Sequence, residues 1–196
     1  MLARQREIAA RAVAELGAGP AMERFMEFLK EKGAGDTLDW LATEGLVPAF
    51  SGPRAGEARA WLAGLRDAKL AEKIAFQAGR GYGGADLDGF RNYLYGFGDI
   101  HVQSALLAGY CAGMAPSDPE GAVQTFFDLK PPKVDFTGLR RVMLALPPGS
   151  PFAKISAKLP GDDMPLARRA RRAFLDAWAR ADPVRAAQFG VPPENV

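Results

Sequence analysis

The stretch DIHVQSALLAGYCAGMAPSDPEGAVQTFFDL, Asp99–Leu129, decides the fold. Ile100, Val102, Leu106, Leu107, Tyr110 and Met114 take up most of the circumference of a helix over 100–114, and a helix that is apolar all round belongs in the interior. Ala105, Gly109 and Gly113 recur every fourth residue and form a ridge of small groups where another helix can come close. Glycine costs about 1 kcal/mol in a helix interior, so two of them there call for a packing reason. Ala115-Pro116-Ser117 breaks the helix, and a second one follows over 119–129. Ser117 or Asp118 caps it, Pro119 suits its first turn, and Glu120 puts negative charge where the helix dipole favours it.

Outward from this centre the pattern stays helical. Toward the N-terminus, residues 2–16 place Leu2, Ile8, Ala9, Ala12, Val13 and Leu16 on one side at helical spacing. Pro20 opens a helix with Met22, Phe25, Met26, Phe28 and Leu29 on a broad apolar face, and Gly33 stops it. Asp36-Thr-Leu-Asp39 reads as the capped start of a short helix, and Val47–Pro53 as a loop. Helical spacing returns over 54–78 with a joint at Gly64–Asp67, where Asp67 caps the second half. Gly79-Arg-Gly-Tyr-Gly-Gly84 reads as a hinge or surface loop dividing the chain; it has no Gly-Lys-Ser/Thr ending, so it is no phosphate loop. A helix over 86–95 and the Gly96-Phe-Gly98 break lead to Asp99, a cap for the central helix.

Beyond Leu129, Lys130-Pro-Pro-Lys133 forces an extended connection. Asp135 is placed to cap a helix to Leu146, Ser150 one over 151–159, and a last long helix covers 164–181. Asp182-Pro183 starts a short final helix. The two Asp-Pro pairs, at 118–119 and 182–183, lie 64 residues apart, twice 32 and close to the period of helical-hairpin repeats. Trp178-Ala179-Arg-Ala-Asp182-Pro183 and the joint Leu146-Pro147-Pro148-Gly149 resemble the Trp-Ala-x-x-Asp-Pro and Leu-Pro-x-Gly motifs of bacterial helical-repeat proteins. The resemblance covers roughly 54–190 and implies a binding scaffold; it carries over no catalytic residue.

Composition excludes several kinds of chemistry. The 48% hydrophobic content supplies a core, and 25 basic against 23 acidic residues give a net charge of +2, no field for nucleic acid or anionic membrane. No run of about 18 apolar residues exists to span a membrane. Cys111 is alone, so no internal disulfide forms, and inside the apolar helix its thiol is buried and inert. This and the charged N-terminus tilt toward the cytoplasm while leaving the compartment open.

His101 is the sole histidine, so any Ser-His-Asp or Cys-His device must use it, and no metal site can hold two histidines. Arg91, Tyr93, Tyr95, Asp99 and His101 surround the Gly96–Gly98 break and are candidate ligand-binding residues, with Arg91 pairing an anion or Asp99 orienting the imidazole. The plainer reading makes Asp99 a helix cap and the tyrosines packing. Arg168, Arg169, Arg171 and Arg172 are the densest basic face; without a wider basic surface a solvated face explains them better than phosphate contacts. Asp86/Asp88 and Asp162/Asp163 stand beside glycine-containing breaks, where turns and caps use carboxylates.

The expected fold is all-α, an irregular array of antiparallel helical hairpins, α-solenoid-like or an orthogonal bundle, with about 9–11 helices. It forms one domain over 1–196: helices of 1–50 pack on a helical-repeat region over 54–190, followed by a tail over 191–196. The expected function is a non-enzymatic helical-repeat scaffold engaging a protein or peptide partner, with no cofactor and no metal. The alternative is a small-molecule-binding protein or enzyme using the Arg91–His101 junction, and nucleic-acid binding through Arg168–Arg172 stands third. Oligomeric state is left open.

Overall fold

The computed structural model describes residues 2–50, 55–82, 86–129, 136–157, 159, 171–172, 174–176, 178–180 and 182–188. Among them are eleven α-helices and no strand, so the protein is all-α. The helices are α1 (Leu2–Leu16), α2 (Pro20–Glu31), α3 (Gly35–Trp40), α4 (Ala55–Ala63), α5 (Ala68–Tyr82), α6 (Leu87–Tyr95), α7 (Ile100–Met114), α8 (Pro119–Asp128), α9 (Phe136–Leu144), α10 (Phe152–Ala157) and α11 (Pro183–Gln188). A π-helical turn, Leu41–Gly45, and a 3-10 turn, Val47–Phe50, follow α3, and the described residues within 171–180 are helical.

α7 is the centre. Val102 and every residue from Ser104 to Ala112 are buried. Helix α5 packs directly on it, skipping α6, and α8 and α9 cover further sides. Two glycines set the α5–α7 distance: a Cβ on Gly109 would stand 1.9 Å from the Phe76 carbonyl oxygen, and one on Gly79 would stand 2.1 Å from that of Leu106. Each is a backbone contact that no side chain fits. Gly138 brings α9 in the same way, since its Cβ would lie 3.2 Å from that of Ala108. These contacts gather helices on one buried helix, nearer to a bundle than to a solenoid row, in which repeats touch only their neighbours. One contiguous cluster of buried apolar residues runs from Ala9 to Ala186.

The expected caps are where local chemistry puts them. Asp86 opens α6, accepting from the amides of Asp88 and Gly89. Asp99 opens α7, accepting from His101 and Val102, and Asp118 opens α8, accepting from Gly121 with Pro119 next. Asp67 accepts from the Leu70 amide at 3.1 Å where α5 begins. Gly17 and Gly33 end α1 and α2 at φ of 65° and 67°, a region other residues enter only with strain.

Five expectations need correcting. Gly79–Tyr82 is no hinge: it is the last turn of α5, held helical by the contact with α7. Asp36 does not cap α3, which starts at Gly35 after Ala34 with no side-chain cap. Val47–Phe50 of the expected loop is a 3-10 turn. Ser150 donates its hydroxyl back to the Pro147 carbonyl at 2.7 Å, closing the Pro-Pro-Gly turn instead of capping α10. On α1 only Ala9 of the described apolar residues is buried; Ile8 is 55% and Leu16 36% exposed, because the helix meets α3 and the π-helical turn along a narrow strip. Asp135, Asp162 and Asp163 lie outside the described residues.

Candidate functional site

Helix geometry scatters the five residues around the Gly96–Gly98 break. Each residue turns a helix by about 100°, so Arg91, Tyr93 and Tyr95 of α6 cannot share one direction. Arg91 is exposed and pairs with Asp88 at 3.5 Å, one turn back. Tyr95 is 52% exposed. Asp99 spends its carboxylate on the cap of α7, and His101, the next turn on, is exposed. Tyr93 alone points inward, 2% exposed.

Tyr93 belongs to an aromatic cluster. Its ring lies 5.0 Å from Tyr82 and 5.4 Å from Phe97; Tyr82 reaches Phe90 at 6.0 Å, and Phe90 stacks on Tyr110 at 4.0 Å. The Arg59 guanidinium sits over the Tyr93 ring, 4.1 Å from its centroid. Burial, with the Tyr82 phenol second, pushes the Tyr93 hydroxyl well above its ordinary range; the Arg59 charge pulls it down but does not prevail. Among the described residues neither the Tyr93 hydroxyl nor the Arg59 Nε–H has a hydrogen-bond partner. Burial likewise pushes the Cys111 thiol up, so it carries no thiolate to act as a nucleophile.

Of the basic face, Arg168 and Arg169 lie outside the described residues, while Arg171 and Arg172 are exposed. Among the described residues no three His, Cys, Asp or Glu side chains gather as a metal site would require. No helix there is long and apolar enough to cross a membrane.

The concave surface lies elsewhere, along α2. Glu23, Met26, Glu27 and Lys30 fall at intervals of three and four and so line one face of α2. Opposite stand Glu57, Ala60, Trp61 and Gly64, spaced identically along α4 and its last turn. Between them is a hollow of about 580 Å³ whose apolar lining includes Leu16, Ala18, Pro20, Ala60 and Trp61, with Glu23 and Glu57 as its charged members. It adjoins at Glu23 a second hollow of about 330 Å³, where Met26, Leu38, Leu65 and Leu70 stand among Glu27, Lys30, Arg66 and Asp67. Trp61 lines the first, 7% exposed, and among the described residues its indole N–H has no acceptor. None of Arg91, Tyr93, Tyr95, Asp99 and His101 lines either hollow.

The lining is chemically plain: apolar walls, charges of both signs at the edges, and no nucleophile with a base beside it. Such a surface can hold apolar side chains of a ligand and orient them by polar contacts. The joint at Trp61–Asp67 was visible in the sequence as a helix break. Its role in a groove was signalled only by the small Ala60 and Gly64 beside a tryptophan, which leave room next to a large ring. No protein-family profile matches the chain, and no curated protein or solved structure matches it either.

Proposed function

We propose that the protein is a non-enzymatic helical scaffold that binds a protein or peptide segment in the groove between α2 and α4. The observation that carries this reading is the pair of adjoining hollows, apolar-walled and charged at the edges, running from Leu16 past Trp61 to Leu70. An amphipathic helix presents apolar anchors at the spacing that such a groove accepts. Kinship with helical-hairpin repeat scaffolds is part of the proposal, supported by helix starts at both Asp-Pro pairs. The enzyme reading has less to stand on: His101 and Arg91 are exposed, and the Asp99 carboxylate is engaged by backbone amides.

Ala60 provides the test, because it is exposed, lies on the groove wall and sits inside α4, where arginine is a good helix former. A random-peptide display selection is run on the full chain and on Ala60→Arg in parallel. Peptides with regularly spaced apolar anchors are expected to enrich on wild type and bind the variant at least tenfold more weakly, about 1.4 kcal/mol, at an unchanged Tm. Failure to enrich, or equal binding to both proteins, overturns the proposal.

A further inference from the structure

We propose that Arg59 and Tyr93 form a binding point for a carboxylate, on the side of α4 turned away from the groove. Arg59 stands two residues from both Glu57 and Trp61, about 200° of helix rotation from the groove wall. Its guanidinium lies 4.1 Å from the Tyr93 ring centroid. Stacking of this kind occupies the flat face of the guanidinium and uses none of its five in-plane N–H donors. The Nε–H is buried without an acceptor among the described residues, and so is the hydroxyl of Tyr93, itself 2% exposed. No carboxylate pairs with Arg59 among the described residues.

A buried cation next to a buried hydroxyl, both with protons to donate and neither with an acceptor, is a costly arrangement that an incoming acceptor relieves. The residue as a whole is partly exposed, so the guanidinium is within reach of a ligand. A carboxylate matches it on two counts. Its two coplanar oxygens meet the guanidinium fork in a bidentate pair, and one negative charge balances one guanidinium. A phosphate dianion asks for a second cation, and among the described residues Arg59 alone is placed over the Tyr93 ring. A small free acid and the C-terminus of a peptide share this chemistry.

The test follows the arginine side-chain Nε–H resonances of the full chain by NMR at constant ionic strength. The probes are sodium acetate, N-acetylglycine and N-acetylglycinamide, with sodium chloride as reference. The resonance missing from Arg59→Lys is expected to shift saturably with the two acids, with Kd on the order of 1–10 mM, and to ignore the amide and chloride. Tyr93→Phe removes an unpaired hydroxyl, so it is expected to keep its Tm while weakening acetate by at least about threefold. Tighter binding of N-acetylglycine than acetate assigns the site to a peptide terminus, and the reverse order to a free acid. A shift that chloride reproduces, no saturable shift at Arg59, or wild-type affinity in Tyr93→Phe overturns the proposal.

Discussion

Gly109→Ala adds one methyl group at the tightest point of the molecule. The new Cβ would lie 1.9 Å from the Phe76 carbonyl oxygen, 2.8 Å from its carbon and 2.9 Å from the Arg80 nitrogen. These are backbone atoms in the middle of α5, so no side chain can swing away to make room. Restoring ordinary contact requires α5 and α7 to separate by roughly 1 Å or more, which loosens van der Waals contact along the whole interface. Overpacking costs about 3 kcal/mol at the upper end of its usual range, and the better helix propensity of alanine returns about 1 kcal/mol. The net loss is about 2 kcal/mol, a fall in Tm of roughly 4–8 °C for a chain of this size. Urea unfolding followed by circular dichroism measures it, with the slope m checked for constancy. Gly56→Ala is the control: nothing lies within 4 Å of its Cβ, so the same substitution on exposed α4 is expected to be neutral or stabilising. Gly79→Ala should behave like Gly109→Ala, since its Cβ meets the Leu106 oxygen at 2.1 Å. The double variant should lose less than the sum, because helices already pushed apart accept the second methyl more easily. A Gly109→Ala protein as stable as wild type would refute the close crossing.

Two further outcomes are expected. Asp118→Ala removes the acceptor that meets the Gly121 amide at 2.8 Å, which should cost about 1 kcal/mol in urea unfolding, with Asp118→Asn keeping most of it; equal loss in both variants would mean that charge and not the cap matters. Stability should also fall as pH rises past about 9. Burial lifts the Cys111 thiol above its ordinary 9.0 and, with Tyr82, the Tyr93 phenol above its ordinary 10.0, so the native state keeps protons that the unfolded chain releases. Fewer protons on the unfolded chain make the slope of unfolding free energy against pH negative. Cys111→Ala should flatten that slope between about pH 8.5 and 9.5, and an unchanged slope there would exclude the thiol as its source.

How much could be read in advance depended on how far the cause lies from its effect along the chain. Asp86, Asp99 and Asp118 cap helices by reaching amides two or three residues ahead, so their roles were legible from neighbours alone. Gly109 was legible too, because two glycines in an otherwise apolar helix have no local explanation. Gly79 was not. Its surroundings, Gly-Arg-Gly-Tyr-Gly-Gly, describe a flexible loop, and only the Leu106 carbonyl, 27 residues on, makes that glycine a helix contact. A small residue signals close approach or mobility according to what stands opposite, and one strand of sequence does not contain the opposite wall. Periodicity in α1 has the same gap: it identifies the apolar face of Ile8 and Leu16 but not whether anything covers it.

The site was less legible than the fold for a sharper reason. Proximity in sequence gathered Arg91, Tyr93, Tyr95, Asp99 and His101 into one cluster, yet in helices proximity in sequence spreads side chains over all directions. What converges is set by spacing of three and four and by contacts between distant helices. Glu23, Met26, Glu27 and Lys30 meet Glu57, Ala60, Trp61 and Gly64 across a gap of more than 30 residues. Arg59 reaches Tyr93 across 34. A hollow is moreover an absence of atoms between such elements, and no residue's own preferences encode an absence. The sole clue within reach was the pairing of bulk with its lack, Trp61 flanked by Ala60 and Gly64, on a helix whose apolar content exceeds what its buried Ala58 and Leu62 require.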